Sequence, residues 1–277
     1  MRDELFVRRA QPWLGTLVEI AVPSSKADHI DGAFAKIADV HRLMSFHSET
    51  SDLALLRQAR PGDVVKINKD TIIVLREAKR FHKETGGLFD VTIAAELVEW
   101  GFLPRPSSRT SQTIAGTMGD IEIVDDSHVK VHNPLLIDLG GIAKGYAVDR
   151  AVNFLQESGV NAGVVNAGGD LRVFGDTSCP VTLRAADWSG AADVSTLENG
   201  AVATSANETT RIFAAGAWRT PHIGKRRNAT LFNGCVSVFA PFAVHADALT
   251  KVAIADAALA ASIAPRFDAE ILYSANN

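Results

Sequence analysis

Apolar residues in this chain change period several times, and the changes come in groups. Residues 13–22 (WLGTLVEIAV) are dense in β-branched and large apolar residues and predict a strand. Ile30, Ala33, Phe34, Ile37, Val40, His41 and Met44 then recur at helical spacing, with Ser25 or Asp28 placed to cap the start. Val74, Ala78 and Phe81 mark a second helix that stops at Gly86–Gly87. Residues 121–124 and 128–132 predict short strands, and 104–116, rich in proline and serine, predicts a loop or insertion. Ala147, Ala151 and Leu155, with Val148 and Val152 beside them, predict a helix that Gly159 ends. Residues 160–175 read as strand, Gly-Gly turn, strand. Further strands are expected near 181–185, 201–205, 211–213 and 235–240, a helix from Asp247 to before Pro265, and a last strand at 269–274. Strands in groups with helices between them, not in strict alternation, favour an α+β fold over a doubly wound sheet. With no strong linker, residues 1–277 are expected to form one domain, open to division into two lobes.

Composition narrows the function classes. The 277 residues are 47% hydrophobic and 22% charged, ordinary for a globular chain and against general disorder. A net charge of −4 offers no pull toward nucleic acid or an anionic membrane. Cys179 and Cys235 lack zinc-ligand spacing and read as two buried thiols in a reducing compartment. The opening residues, MRDELFVRRAQPWLG, have no apolar leader pattern, and no stretch suits a membrane span, so a cytoplasmic location is expected.

Four stretches are able to carry chemistry. In IDLGGIAKGYAVDR (137–150), two glycines directly after an acid permit close approach to a ligand or a positive φ. The helix that follows would point its free N–H groups back at Asp138 and Lys144. Acid, glycines and cation together suit phosphate groups; a strand-to-helix turn with a surface lysine is the plain alternative. Neither G-x-G-x-x-G nor a P-loop G-K-[ST] is present. Asp247 precedes an alanine-rich run and reads either as an N-cap or as a hard-oxygen ligand for Mg²⁺, with Thr250 assisting. Gly86–Gly87 ahead of Leu88, Phe89 and Asp90 looks like a backbone platform, with Trp100 and Phe102 as core or as cofactor wall. Asp170 reads as the residue that hydrogen-bonds its own hairpin turn. No H-E-x-x-H pattern occurs, and Ser205 lacks the G-x-S-x-G elbow of a hydrolase.

In order, the blocks LGTLVEI, MSFHSETSDLALL, TGGLFDVTIAAELVEWGF, IDLGGIAKGYAVDRAVNFL, GVVNAGGDLRVFG, AVATSANET and SVFAPFAVHADALTK resemble the ApbE-type FAD:protein FMN transferases. The resemblance runs from about residue 13 to about residue 260, and 137–150 with the downstream A-D-A-L is its most specific part. It implies an α+β fold with the flavin site between the lobes, bound FAD and Mg²⁺. The implied reaction moves FMN from FAD to a threonine or serine hydroxyl of an acceptor flavoprotein and releases AMP. The alternatives are an FAD-binding protein with reduced or lost transfer, and an FAD pyrophosphatase giving FMN and AMP. By position, Leu14, His47, Leu88, Phe89, Asp90, Asp138, Lys144 and Gly224 match cofactor contacts. Gly141, Asp247 and Thr250 match the metal site, and Asp247 and Lys144 are the catalytic candidates. Two departures stand out. Lys251 takes the place of a threonine that completes the metal site in relatives, and HIGKRRNAT (222–230) replaces H-x-x-D-P-x-T-G.

Overall fold

The computed structural model describes residues 5–106, 114–184, 191–207, 210–214 and 216–275. Residues 107–113 of the expected loop and residue 185 of an expected strand lie outside the described residues. The chain makes two compact units: one takes the segments up to His41, Ile142–Thr209 and from Phe232 onward, the other Arg42–Gly141 and Thr210–Leu231.

The first unit opens with a hairpin of β1 (Phe6–Trp13) and β2 (Thr16–Pro23). Leu14 and Gly15 join them with φ of 55° and 74°, the backbone of a tight two-residue hairpin. The strand expected from Trp13 therefore begins at Thr16, and β1, with Arg8 and Arg9 breaking its apolar pattern, was not legible. A 3₁₀ segment (Ser24–His29) leads into α1 (Ile30–Met44). Pro23, which has no side-chain cap to offer, precedes that segment in place of the expected Ser25 or Asp28.

The second unit carries α2 (Asp52–Gln58), β3 (Val64–Lys66), α3 (Lys69–Glu84), α4 (Ala94–Trp100), β4 (Ile121–Ile123) and β5 (His128–Val131). Ser51 caps α2 and Asn68 caps α3 through their side-chain oxygens. Helix α3 buries Ile72, Leu75, Ala78 and Phe81 and ends at Thr85, after which Gly86 and Gly87 take positive φ. Strands β3, β5 and β4 form a small antiparallel sheet.

Back in the first unit come α5 (Ala143–Glu157), β6 (Ala162–Ala167), β7 (Asp170–Arg184) and β8 (Ala191–Ala206). The second unit adds a short hairpin of β9 (Ile212–Ala214) and β10 (Ala217–Arg219). The first unit then closes with β11 (Gly234–Ala240), α6 (Ala243–Ala255), α7 (Ala257–Ile263) and β12 (Glu270–Ala275). Among the described residues it holds a seven-stranded antiparallel sheet in the order β1-β2-β6-β7-β8-β11-β12. Helices α5 and α6 pack on this sheet and on each other. Helix α6 is buried along most of its length between Ala243 and Ile254. Cys235 is buried and Cys179 half-buried, so one thiol rather than two belongs to the core. No helix among the described residues is long and apolar enough to cross a membrane.

The contact between α5 and α6 is set by their N-termini. A Cβ on Gly145 would sit 2.2 Å from the Ala243 carbonyl oxygen, so only glycine allows this approach. Across it, Asp149 of α5 accepts from the Ala243 and Val244 N–H groups at 3.0 and 2.9 Å. In return Asp247 of α6 accepts from the Gly145 N–H at 3.1 Å. Each helix is thus capped by a carboxylate of the other. Arg172 donates to Asp149 at 2.8 Å and lays its guanidinium 4.8 Å from the Phe242 ring centre. Helix α6 therefore starts at Ala243, with Phe242 at its N-cap, and not at Asp247 as the sequence suggests.

Asp149→Ala leaves the Arg172 charge and two N–H groups without their partner. Removing half of a buried ion pair costs about 3–5 kcal/mol. Urea unfolding of Asp149→Ala is expected to show a loss of about 3 kcal/mol, and Asp149→Asn, which keeps one acceptor, a smaller one.

Candidate functional site

Four charged side chains of the first unit form one cluster at the capped helix ends. Lys144, in the first turn of α5, donates to the Asp170 carboxylate. Lys251, one helical turn beyond Asp247 in α6, donates to Asp247 Oδ1 at 2.8 Å. The acids are buried, with side chains 2% and 0% exposed, while Lys144 and Lys251 are 30% and 22% exposed. The carboxylates lie beneath and the ammoniums reach solvent. Asp170 does not serve its own turn, as the sequence suggests; Asn166 does, accepting from the Gly169 N–H at 2.9 Å. Gly168 and Gly169 hold that turn with φ of 65° and 106°, so the Asp170 carboxylate is released to meet Lys144.

These charges act on one another. Burial works to raise the Asp247 carboxyl, but Lys251, Lys144 and the Gly145 N–H outweigh it and hold it below the ordinary carboxylate range. Burial and repulsion from Asp247 raise Asp170 in spite of the two lysines. Burial works to lower the Lys144 ammonium, and Asp247 and Asp170 more than offset it, so it lies above the ordinary lysine range.

Around Lys251 Nζ the oxygens are close. Asp247 Oδ1 and Ser205 Oγ each lie at 2.8 Å, Thr250 Oγ1 at 2.9 Å, and the Asp247 carbonyl at 3.4 Å. Thr250 donates to that carbonyl at 2.7 Å and lies 2.9 Å from Ser205 Oγ. One proton arrangement satisfies every group: three ammonium hydrogens to Asp247, Ser205 and Thr250, the Thr250 hydrogen to the carbonyl, and the Ser205 hydrogen to Thr250. Carboxylate, carbonyl and hydroxyl oxygens are the donors that Mg²⁺ takes, yet here they already hold a cation. Two unit charges about 4 Å apart near a protein surface interact by about 4 kcal/mol, and a dication doubles this. Mg²⁺ does not fit these oxygens with Lys251 in place. Among the described residues, no group of three or more His, Cys, Asp or Glu offers another metal site.

The remaining sequence candidates fall as follows. Leu14 is half-buried in the β1–β2 turn of the first unit. In the second unit, Asp138 is half-buried; Oδ1 accepts from the Gly140 N–H at 3.1 Å, and desolvation raises its carboxyl against that hydrogen bond and the charge of His47. Phe89 is buried, its ring 5.4 Å from that of Phe81, so its side chain belongs to the core; Leu88 stays half-buried. Asp90 accepts from the Thr92 hydroxyl at 2.6 Å and from Arg227 at 3.1 Å, and Arg227 also donates to Glu96 at 2.8 Å. The basic segment that departs from the family pattern thus supplies a guanidinium to the Asp90 platform. Gly224 donates to the Asn228 carbonyl at 2.8 Å, and a Cβ there would meet Thr230 Oγ1 at 2.4 Å. Trp100 is buried, with the Arg219 guanidinium 4.8 Å from its ring centre. Gly141 belongs to the second unit. Sequence reasoning missed Gly145, Asp149, Arg172, Ser205 and Arg227 as parts of these arrangements. Their partners lie far along the chain, and the one local signal is an acid, Asp149, inside an apolar helix stripe.

A model of the ApbE family matches residues 14–267. A Rhodobacter capsulatus FAD:protein FMN transferase is 30% identical over 243 residues, covering 81% of this chain and 46% of that protein. A Vibrio cholerae protein of the same name is 27% identical over 147 residues, covering 50% of this chain and 44% of that protein. The matched stretches therefore span less than half the length of these relatives. The crystal structure of the ApbE protein from Thermotoga maritima superposes with a TM-score of 0.84 at 27% identity, covering 97% of this chain and 94% of that one. The flavin transferase ApbE from Vibrio cholerae superposes with a TM-score of 0.78 at 22% identity, covering 97% and 93%.

Asp247 is lowered from its ordinary value of 3.8. Its charge therefore adds stability that is complete above that value and is lost as pH falls through the lower folded value. Wild type is expected to exceed Asp247→Asn by about 3 kcal/mol at neutral pH. In chemical denaturation, the gap should begin to narrow as pH drops below the ordinary value and close only below the lower folded one.

Proposed function

Because the chain belongs to the ApbE family, we propose that it transfers the FMN half of FAD to a threonine or serine hydroxyl of an acceptor flavoprotein and releases AMP. The layering of charge supports this reading: buried Asp170 and Asp247 beneath, partly open Lys144 and Lys251 above. A pyrophosphate is an anion suited to such a surface, and its transfer chemistry depends chiefly on alignment and charge stabilisation.

In the reaction the acceptor hydroxyl oxygen bonds to the flavin-side phosphorus and gives up its proton to solvent. The bond from that phosphorus to the bridging oxygen breaks, and AMP leaves with its electron pair. Lys144 meets the charge as it moves toward the leaving phosphate. Asp170 holds the Lys144 ammonium, and Asp247 holds both Lys251 and the first turn of α5. Asp247 is fully engaged and kept charged, which makes it a weak base and a strong organiser. By family resemblance the proposed flavin contacts are Leu14, His47, Leu88, Asp90, Asp138, Lys144 and Gly224, with Phe89 supporting the Leu88–Asp90 platform from the core. Mg²⁺, proposed for Asp247, Thr250 and Gly141 by family resemblance, enters none of these steps, because Lys251 holds the oxygens it needs.

The test is incubation with FAD and a purified flavoprotein that carries phosphoester-linked FMN in its host, prepared without that FMN. Flavin fluorescence that stays with the acceptor after denaturation, with AMP in equal amount, is the expected result. Intact FAD would sink the transferase reading, and free FMN with AMP would replace it by hydrolysis. Lys144→Met should slow transfer by on the order of 100-fold, the cost of losing one charge-stabilising donor. Asp138→Ala should weaken FAD binding in a fluorescence titration, and unchanged affinity would remove Asp138 from the site.

A further inference from the structure

We infer that Lys251 is a built-in replacement for a metal ion: its ammonium is the resident cation of the Asp247, Thr250 and Ser205 oxygens, and this cluster works without a divalent metal. The inference goes beyond flavin transfer, and the cation site keeps this property whether or not flavin binds.

Three observations carry it. The ammonium is saturated, with three oxygens at 2.8–2.9 Å for three hydrogens and a carbonyl at 3.4 Å. Those oxygens come from different kinds of group, a carboxylate, a carbonyl and two hydroxyls, which is a hard-cation set rather than the single partner of an ordinary surface salt bridge. Charge in the cluster is also closed: Asp170 and Asp247 are matched by Lys144 and Lys251. A divalent ion would leave this buried cluster with an excess of positive charge. Lys251 is in addition held by geometry, since its Nζ returns over one helical turn to the residue four positions earlier. Replacing it by threonine removes the ammonium, leaves the remaining oxygens in place and adds a hydroxyl one turn from Asp247.

Mn²⁺ is the probe, because the electron paramagnetic resonance signal of the free ion falls when the ion is bound. Full-length wild-type protein is expected to leave the Mn²⁺ signal unchanged, with a melting temperature indifferent to Mn²⁺ and to EDTA. Lys251→Thr is expected to take up one Mn²⁺ per chain and to melt higher with it, and Lys251→Thr combined with Asp247→Asn to lose that uptake. Saturable Mn²⁺ binding by wild type that Asp247→Asn abolishes would overturn the proposal. So would a folded Lys251→Thr that binds no Mn²⁺. The wild-type measurement needs no variant to fold. Since the readout is the ion, a failure of FMN transfer leaves this result standing.

Discussion

The first unit depends on two helix starts capping one another. A helix N-terminus buried against another one brings several unpaired N–H groups and two positive dipole ends together. That junction is tolerable only if negative charge is placed inside it. Asp149 supplies it to α6 and Asp247 to α5. The absence of a side chain at Gly145 lets the two backbones come close enough for both carboxylates to reach. Arg172 then balances Asp149 on one side, and Lys251 balances Asp247 on the other. The charges needed to bury the junction are the charges from which the candidate site is made.

This explains why stability and chemistry are hard to separate here. Asp247 is at once a cap, half of an ion pair and the centre of the oxygen set around Lys251. Burial alone would favour its neutral form, and the two lysines with the Gly145 N–H outweigh that. Asp170, close to Asp247 and equally buried, is pushed the other way. Two carboxylates of one cluster are thus driven apart by the repulsion between them and by which lysine each holds most closely. The layered result presents cations to solvent over acids.

The fold was legible where one segment decides its own state. Helices α3 and α5 follow their apolar spacing, the glycines at 86–87 and 168–169 turn the chain, and the expected strands at 121–124, 128–132 and 235–240 appear within a residue or so. It was less legible where a neighbour decides. Strand β1 shows little alternation, because it is largely exposed beside β2. Helix α6 starts four residues before the acid expected to cap it, because its cap comes from Asp149, 94 and 95 residues away. Asp170 looks like a turn residue by its position after two glycines, but Asn166 takes that task.

By itself the sequence determined the α+β class, the order of the family blocks, and the residues Lys144 and Asp247 as the ones to watch. It also marked Lys251 as a departure, without saying what the lysine does. Only the tertiary structure decided that, because an ammonium's role depends on which oxygens surround it. Ser205 reaches Lys251 across 46 residues of chain, and the sheet beneath α6 brings it there. Local spacing can place an acid and a lysine on one helix face. Whether the oxygens around them are left open for a metal or closed around an ammonium is set by the packing of distant segments.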